Sequence, residues 1–239
     1  MPEKVSIFWF RRDLRLHDNA GLFNALKGNH PVIPIFIFDK EILQSLPVND
    51  ARVSFIYDSL QEIGKQLKEH YQSSIGIYFG NPLDIFKALI AEYDVQSVYT
   101  NRDYEPYAGK RDGEIAQTLK LSNIEFKTFK DQVIFEKNEV VKDNGEPYVV
   151  YTPYMRKWKQ KFHLDEPVML YDSESLLNSM HKKTDLPNLA LEEIGFKSSD
   201  IKVPTFEISS SLLTSPIAVT EINNPVVEDV VSPPTKSTL

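Results

Sequence analysis

The chain opens on a short apolar run, Val5-Ser6-Ile7-Phe8-Trp9-Phe10, that stops abruptly at Arg11 and Arg12. A continuous run of this kind, rich in β-branched and aromatic side chains, predicts a strand buried on both faces. Asp18 or Asn19 then stands where a helix cap is needed, ahead of Leu22, Phe23 and Leu26, with Gly28 just beyond. The stretch from Pro31 to Phe38, dominated by Val, Ile and Phe, predicts a second strand. From Arg52 the apolar positions Val53, Ile56, Leu60, Ile63 and Leu67 recur at alternating steps of three and four, drawing one stripe along a long helix.

The rhythm continues with Ile75 to Phe79 as a strand, Gly80-Asn81-Pro82 as a turn, and Leu83, Phe86, Leu89 and Ile90 as the next helical face. Val95 to Thr100 and Ile124 to Phe129 supply two more strands, separated by a polar helix that follows Pro106 and carries Ile115 and Leu119. Strands alternating with helices of this length imply parallel pairing through right-handed crossovers. The expected fold class is α/β, a Rossmann-like, doubly wound, five-stranded parallel sheet flanked by helices, then an irregular linker region and a disordered tail. Ligands on such sheets sit beyond the carboxyl ends of the strands, where the strand order reverses.

After Phe129 the alternation breaks. Asn144-Gly145 predicts the tight turn of a hairpin, and Tyr154, Trp158 and Phe162, spaced four apart, predict an aromatic stripe along one helix. Beyond Phe206 there is no further aromatic residue, while Ser209-Ser210-Ser211, Pro216, Pro225 and Pro233-Pro234 punctuate the chain. The expected organisation is an α/β domain over 1–135, an extension with one aromatic and basic helix over 136–205, and a disordered tail over 206–239.

Composition narrows the chemistry. With 27 basic and 34 acidic residues the chain is acidic, which argues against nucleic-acid binding by the whole surface but leaves room for a local basic patch. The absence of cysteine excludes disulfides, thiolate zinc sites and cysteine nucleophiles. The opening apolar run is too short for a signal-peptide core or a membrane span, so a cytoplasmic location without membrane contact is expected. Nothing in the composition bears on oligomeric state.

The turn after the first strand holds Arg11, Arg12, Asp13, Leu14 and Arg15, with neither a dinucleotide fingerprint nor a P-loop. Guanidinium groups there either bind a carboxylate, a phosphate or a flavin-like ring, or pair with Asp13, Asp18 and Asp39 to brace the sheet edge. Bracing is the expectation for Arg11 and Arg15, and a ligand role for Arg12. A second cluster, Asn101 to Tyr107, follows the fourth strand and brings Asp103 and Glu105 to the same crevice if the strands are neighbours. These acids either orient a bound ring through its N–H groups or belong to a turn with a capped helix start. A third segment, Gly145 to Tyr154 with Trp158, interleaves aromatics with Arg156, Lys157, Lys159 and Lys161. It reads either as a single-strand nucleic-acid site or as a packing stripe with solvated lysines.

Taken together these segments resemble the DNA photolyase and cryptochrome family. The resemblance rests on Phe8 to Asn19, on Pro34 to Asp39, on Asn101-x-Asp103-x-Glu105-Pro106-Tyr107 with Arg111-Asp112, and on Gly145-x-Pro147-Tyr148-x-Val150-Tyr151-Thr152-Pro153-Tyr154, in the family's order. It implies an N-terminal domain that holds a planar antenna chromophore, joined in full-length members to a helical domain carrying catalytic FAD. In photolyases that flavin splits cyclobutane pyrimidine dimers, so DNA is expected to be reached only through the FAD-bearing part. Positions matching antenna ligands are Arg12, Phe38, Arg52 and Asp103, with Glu105 beside them. Tyr107 and Ala108 lack the amide and carboxylate that a folate would need, so a deazaflavin, FMN or FAD antenna is expected instead. The tail from about residue 210 departs from the family's flavin motif. The expectation is therefore a truncated homologue that does not repair DNA alone; a nucleotide-binding module similar to universal stress proteins and one half of a split photolyase are the rivals.

Overall fold

The computed structural model describes residues 3–164 and 170–201. The tail expected to be disordered, 206–239, lies outside the described residues.

The first strand, β1 (Lys4–Phe10), is buried at every position after Lys4. Its alternating side chains serve two cores: Ile7 and Trp9 face one way, Phe8 and Phe10 the other. Asn19 caps α1 (Ala20–Leu26), its Oδ1 accepting the Leu22 N–H at 3.0 Å, while Asp18 takes a positive φ of 43° on the way in. Strand β2 (Val32–Asp39) pairs in parallel with β1 and is likewise buried throughout. A single turn, α2 (Lys40–Leu43), leads to α3 (Ala51–Tyr71), which begins at the cap Asp50 and buries Val53, Leu60, Ile63 and Leu67. Then come β3 (Gly76–Gly80), α4 (Pro82–Glu92), β4 (Asp94–Asn101), α5 (Pro106–Leu121) and β5 (Glu125–Phe129).

The sheet order is β3-β2-β1-β4-β5 with every pairing parallel. The chain thus winds outward from β1 in both directions, and the order reverses between β1 and β4. One face carries Phe8, Phe36 and Phe38 under residues of α1 and α3, the other Trp9, Ile35 and Val98 under residues of α4 and α5.

The irregular region adds to this sheet rather than hanging from it. Met180 bridges Val32, Asn188 bridges Ile77, and Leu177, Leu191, Ile194 and Phe196 complete the α3-side core. The expected hairpin is corrected by the structure. Its turn forms, with the Gly145 N–H donating to the Lys142 carbonyl at 2.8 Å, but residues 130–150 contain no strand. Two charged arms without a third strand or an apolar face to cover have little to hold them in register. The aromatic helix exists as α6 (Tyr151–Leu164), with Trp158 stacked on Phe162 at 5.1 Å and edge-on to Phe135 at 5.5 Å.

Candidate functional site

At the reversal point the loops after β1 and β4 are tied together before any ligand is considered. Asp13 is buried, and its carboxylate accepts the Arg11 backbone N–H at 2.7 Å and the Asn101 side-chain amide at 2.5 Å. Asn101 also donates to Asn19 and accepts the Gly21 N–H at 2.8 Å, so the end of β4, the loop after β1 and the start of α1 form one bonded unit. Burial raises the Asp13 pKa, and the N–H bonds oppose that rise without cancelling it.

Arg11 and Arg15 brace the fold, with partners other than the acids expected. Arg11 bonds Asp112 at 2.8 Å and Thr100 at 2.8 Å, and its guanidinium lies 4.5 Å from the centre of the Trp9 ring. Arg15 pairs with Asp131 at 2.8 Å and donates to the Asp18 carbonyl. Sequence separation hid these partners, since only the sheet order brings α5 and the end of β5 beside the first turn. Burial lowers the Arg11 pKa, and Asp112 pulls it back up.

Arg12 behaves differently. It turns outward, its side chain 58% exposed, and its Nε lies 3.3 Å from Asp103 while a terminal nitrogen lies 3.7 Å from Glu105. These three residues share the rim of a cleft of 420 Å³ that is also lined by Glu41, Ile42, Ser45, Tyr107, Ala108 and Arg111. That volume falls in the range of small-molecule sites. Beneath it, Asp39 accepts from the Tyr107 hydroxyl at 2.8 Å and pairs with Arg111 at 3.5 Å, and Arg111 lies 4.8 Å from the Trp9 ring centre. Burial and then the Asp39 carboxylate push the Tyr107 phenol up, so it stays a neutral donor. The arrangement can hold a flat guest: Ile42 offers exposed apolar surface, and Arg12 and Asp103 offer a donor and an acceptor side by side.

Phe38 and Arg52 are not on this cleft. Phe38 is buried on β2 and packs edge-on against Phe36 at 4.9 Å. Arg52 is exposed at the start of α3, where it pairs with the cap residue Asp50 at 2.7 Å. The floor residues Asp39 and Arg111 were not singled out as ligand groups from the residues alone. For Asp39 the signal was positional, since it ends β2 at the ligand side of the sheet, whereas Arg111 lies more than a turn inside α5 and only the packing of that helix brings it to Asp39.

The family model for DNA photolyase matches residues 6–171. The chain belongs to the DNA photolyase family. It is 36% identical over 156 residues to a deoxyribodipyrimidine photo-lyase from a Synechococcus strain, a match covering 64% of this chain and 31% of that protein. It is 27% identical over 202 residues to cryptochrome-2 of Gallus gallus, covering 82% and 34% respectively. Among solved structures it resembles a bacterial class III photolyase from Agrobacterium tumefaciens with a TM-score of 0.62 at 28% identity, over 84% of this chain and 37% of that one. It also resembles an archaeal photolyase from Sulfolobus tokodaii, solved with two FAD molecules and implicating a novel light-harvesting cofactor. There the TM-score is 0.54 at 25% identity, over 75% of this chain and 42% of that one. The chain therefore spans about a third to two-fifths of the length of these family members. The turn after β4 holds Arg102, Asp103 and Tyr104 in place of glycines, so a phosphate loop of the universal-stress-protein kind has no residues to form it. Among the described residues no helix is long and apolar enough to cross a membrane.

Proposed function

We propose that this chain works as an antenna-chromophore-binding domain of the photolyase and cryptochrome family, and that its guest lies in the cleft between Arg12 and Asp103. The observation that carries the reading is the meeting of those two side chains, from the ends of adjacent central strands, at the one place where the sheet reverses its order. A deazaflavin, FMN or FAD fits the donor and acceptor pair better than a folate, because Tyr107 and Ala108 stand where a folate needs an amide and a carboxylate. When bound, such a group supplies light absorption and passes excitation onward. The chain's own part is to hold its edge through Arg12 and Asp103, cover its face with Ile42, and keep the Tyr107 hydroxyl protonated. Repair of pyrimidine dimers or blue-light reception is the setting in which such a domain acts.

Titration with FMN, FAD and a deazaflavin, followed by fluorescence and by visible absorbance co-eluting with the protein, tests this. Retention of one of them is expected, and Arg12→Ala or Asp103→Asn weakens it about tenfold or more, as for loss of a charge-assisted hydrogen bond. Failure to retain any of the three overturns the reading, and saturable heat on adding ATP instead favours a nucleotide-binding module. Arg52→Ala discriminates position: unchanged affinity agrees with the cleft, whereas a loss moves the guest to the start of α3.

A further inference from the structure

Among the described residues that line the cleft, Tyr107 is the one aromatic. Its hydroxyl donates to Asp39 Oδ2 at 2.8 Å, so the phenol proton already points at a carboxylate. That carboxylate is buried and fixed from other sides: Oδ1 accepts the Glu41 N–H at 3.0 Å, and Arg111 lies 3.5 Å from Oδ2. Two further oxidisable rings stand at this end of the sheet. Trp9 is buried, with the guanidinium groups of Arg11 and Arg111 at 4.5 and 4.8 Å from its ring centre, and two cations against one ring oppose the loss of an electron from it. Tyr104 donates to Glu136 at 2.6 Å but does not line the cleft. Tyr107 has Arg111 at the longer distance of 5.6 Å, and it alone of the three combines a place on the cleft with a base for its proton.

We infer that Tyr107 and Asp39 form a proton-coupled electron donor to a photoexcited guest in the cleft, which gives the excitation a second exit besides onward transfer. The inference rests on the proposed function, since it needs an oxidised flavin or deazaflavin ring seated against Tyr107. Light turns such a ring into a strong one-electron oxidant. The Tyr107 phenol gives up one electron to it, the phenol O–H bond breaks, and a new O–H bond forms on Asp39 Oδ2. The products are a neutral tyrosyl radical, a protonated Asp39 and a guest richer by one electron. A phenol that has lost an electron is a strong acid, and its proton passes to a base already at hydrogen-bond distance, with no side chain needing to move. Return of the electron to the radical, and of the proton to the phenol oxygen, restores the starting state and releases the excitation as heat. Energy transfer to a close acceptor competes with this path, and where no acceptor is close the pair discharges the guest.

The full chain loaded with FMN, or with FAD or a deazaflavin if one of those is the guest retained, tests this by fluorescence lifetime and by electron paramagnetic resonance under illumination. Lifetimes are read on the bound fraction, so a change of affinity in a variant does not enter. A quenched lifetime, slower quenching in heavy water and a light-induced tyrosyl signal are expected. Tyr107→Phe keeps the ring but removes the proton, so it lengthens the lifetime severalfold and abolishes the signal; Asp39→Asn lengthens it too, whereas Tyr104→Phe changes neither readout. In the guest-free protein the Tyr107 phenol, read by ultraviolet difference titration against Tyr107→Phe, titrates above the ordinary 10.0 and moves down in Asp39→Asn. With a guest retained, an unchanged lifetime in Tyr107→Phe, recovery in Tyr104→Phe instead, or equal quenching in ordinary and heavy water overturns the inference and leaves the cleft reading standing. A Tyr107 titration that ignores Asp39→Asn overturns it as well. Failure to retain FMN, FAD or a deazaflavin overturns the proposed function and this inference together.

Discussion

Asp13 shows how much one side chain in this fold is asked to do. Its carboxylate sits in the first turn as the acceptor for Arg11, Asn19 and Asn101, and its burial raises its pKa above the ordinary 3.8. The folded chain therefore holds that proton more tightly than the unfolded chain. As pH climbs past 3.8 the unfolded chain releases it first, so the Asp13 contribution to stability is greatest in acid and declines through the window above 3.8. A carbon-13 titration should place its midpoint above that value. Asp13→Asn sets an amide donor against the donors of Asn19 and Asn101, and should cost about 1–3 kcal/mol in a urea melt with unchanged slope. Asp50 has the opposite sign. Arg52 and the backbone of α3 lower its pKa to about 2, so its stabilisation is present above 3.8 and is lost as pH falls toward about 2. Asp50→Ala should lower the melting temperature at neutral pH and remove that acid dependence, with little change in the cleft.

At the scale of elements, the helices and strands were legible because each has a single clear reason to exist. β1 and β2 are apolar at nearly every position since both of their faces are covered, and α3 repeats at three and four because only one of its sides is. Close approach between elements is less visible in a sequence. Gly21 lets α1 settle onto β4, where an added Cβ would stand 2.7 Å from the Asn101 amide oxygen and 2.9 Å from the Phe8 ring. Gly21→Ala should therefore destabilise the protein by about 1–3 kcal/mol despite its better helix propensity, and calorimetry would read the loss. Asn144-Gly145 marks the contrary case. The turn formed as its residues required, but strands need partners, and residues 142–146 have neither a neighbouring strand nor an apolar face to cover.

For the molecule as a whole, stability should be graded. The central strands β1, β2 and β4 lie between two cores, whereas α6 packs through a few aromatic contacts with the loop before it. Hydrogen exchange should accordingly be slowest in β1 and fast in α6, and a uniform rate across both would contradict this picture. The local periodicity of the chain was enough to specify the strands and helices of the α/β region and their parallel pairing, because those follow from which side chains must leave water. It placed Arg12, Asp103 and Glu105 just after the first and fourth strands, and the observed adjacency of β1 and β4 is what brings Arg12 to the two acids. Which arginine faces outward, that Arg11 rests on Asp112 and Arg15 on Asp131, and that residues 177–196 finish the core beneath α3 were decided only in three dimensions. Partners so far apart along the chain are chosen by competition for the same buried volume and the same donors, and no local pattern records the outcome of that competition.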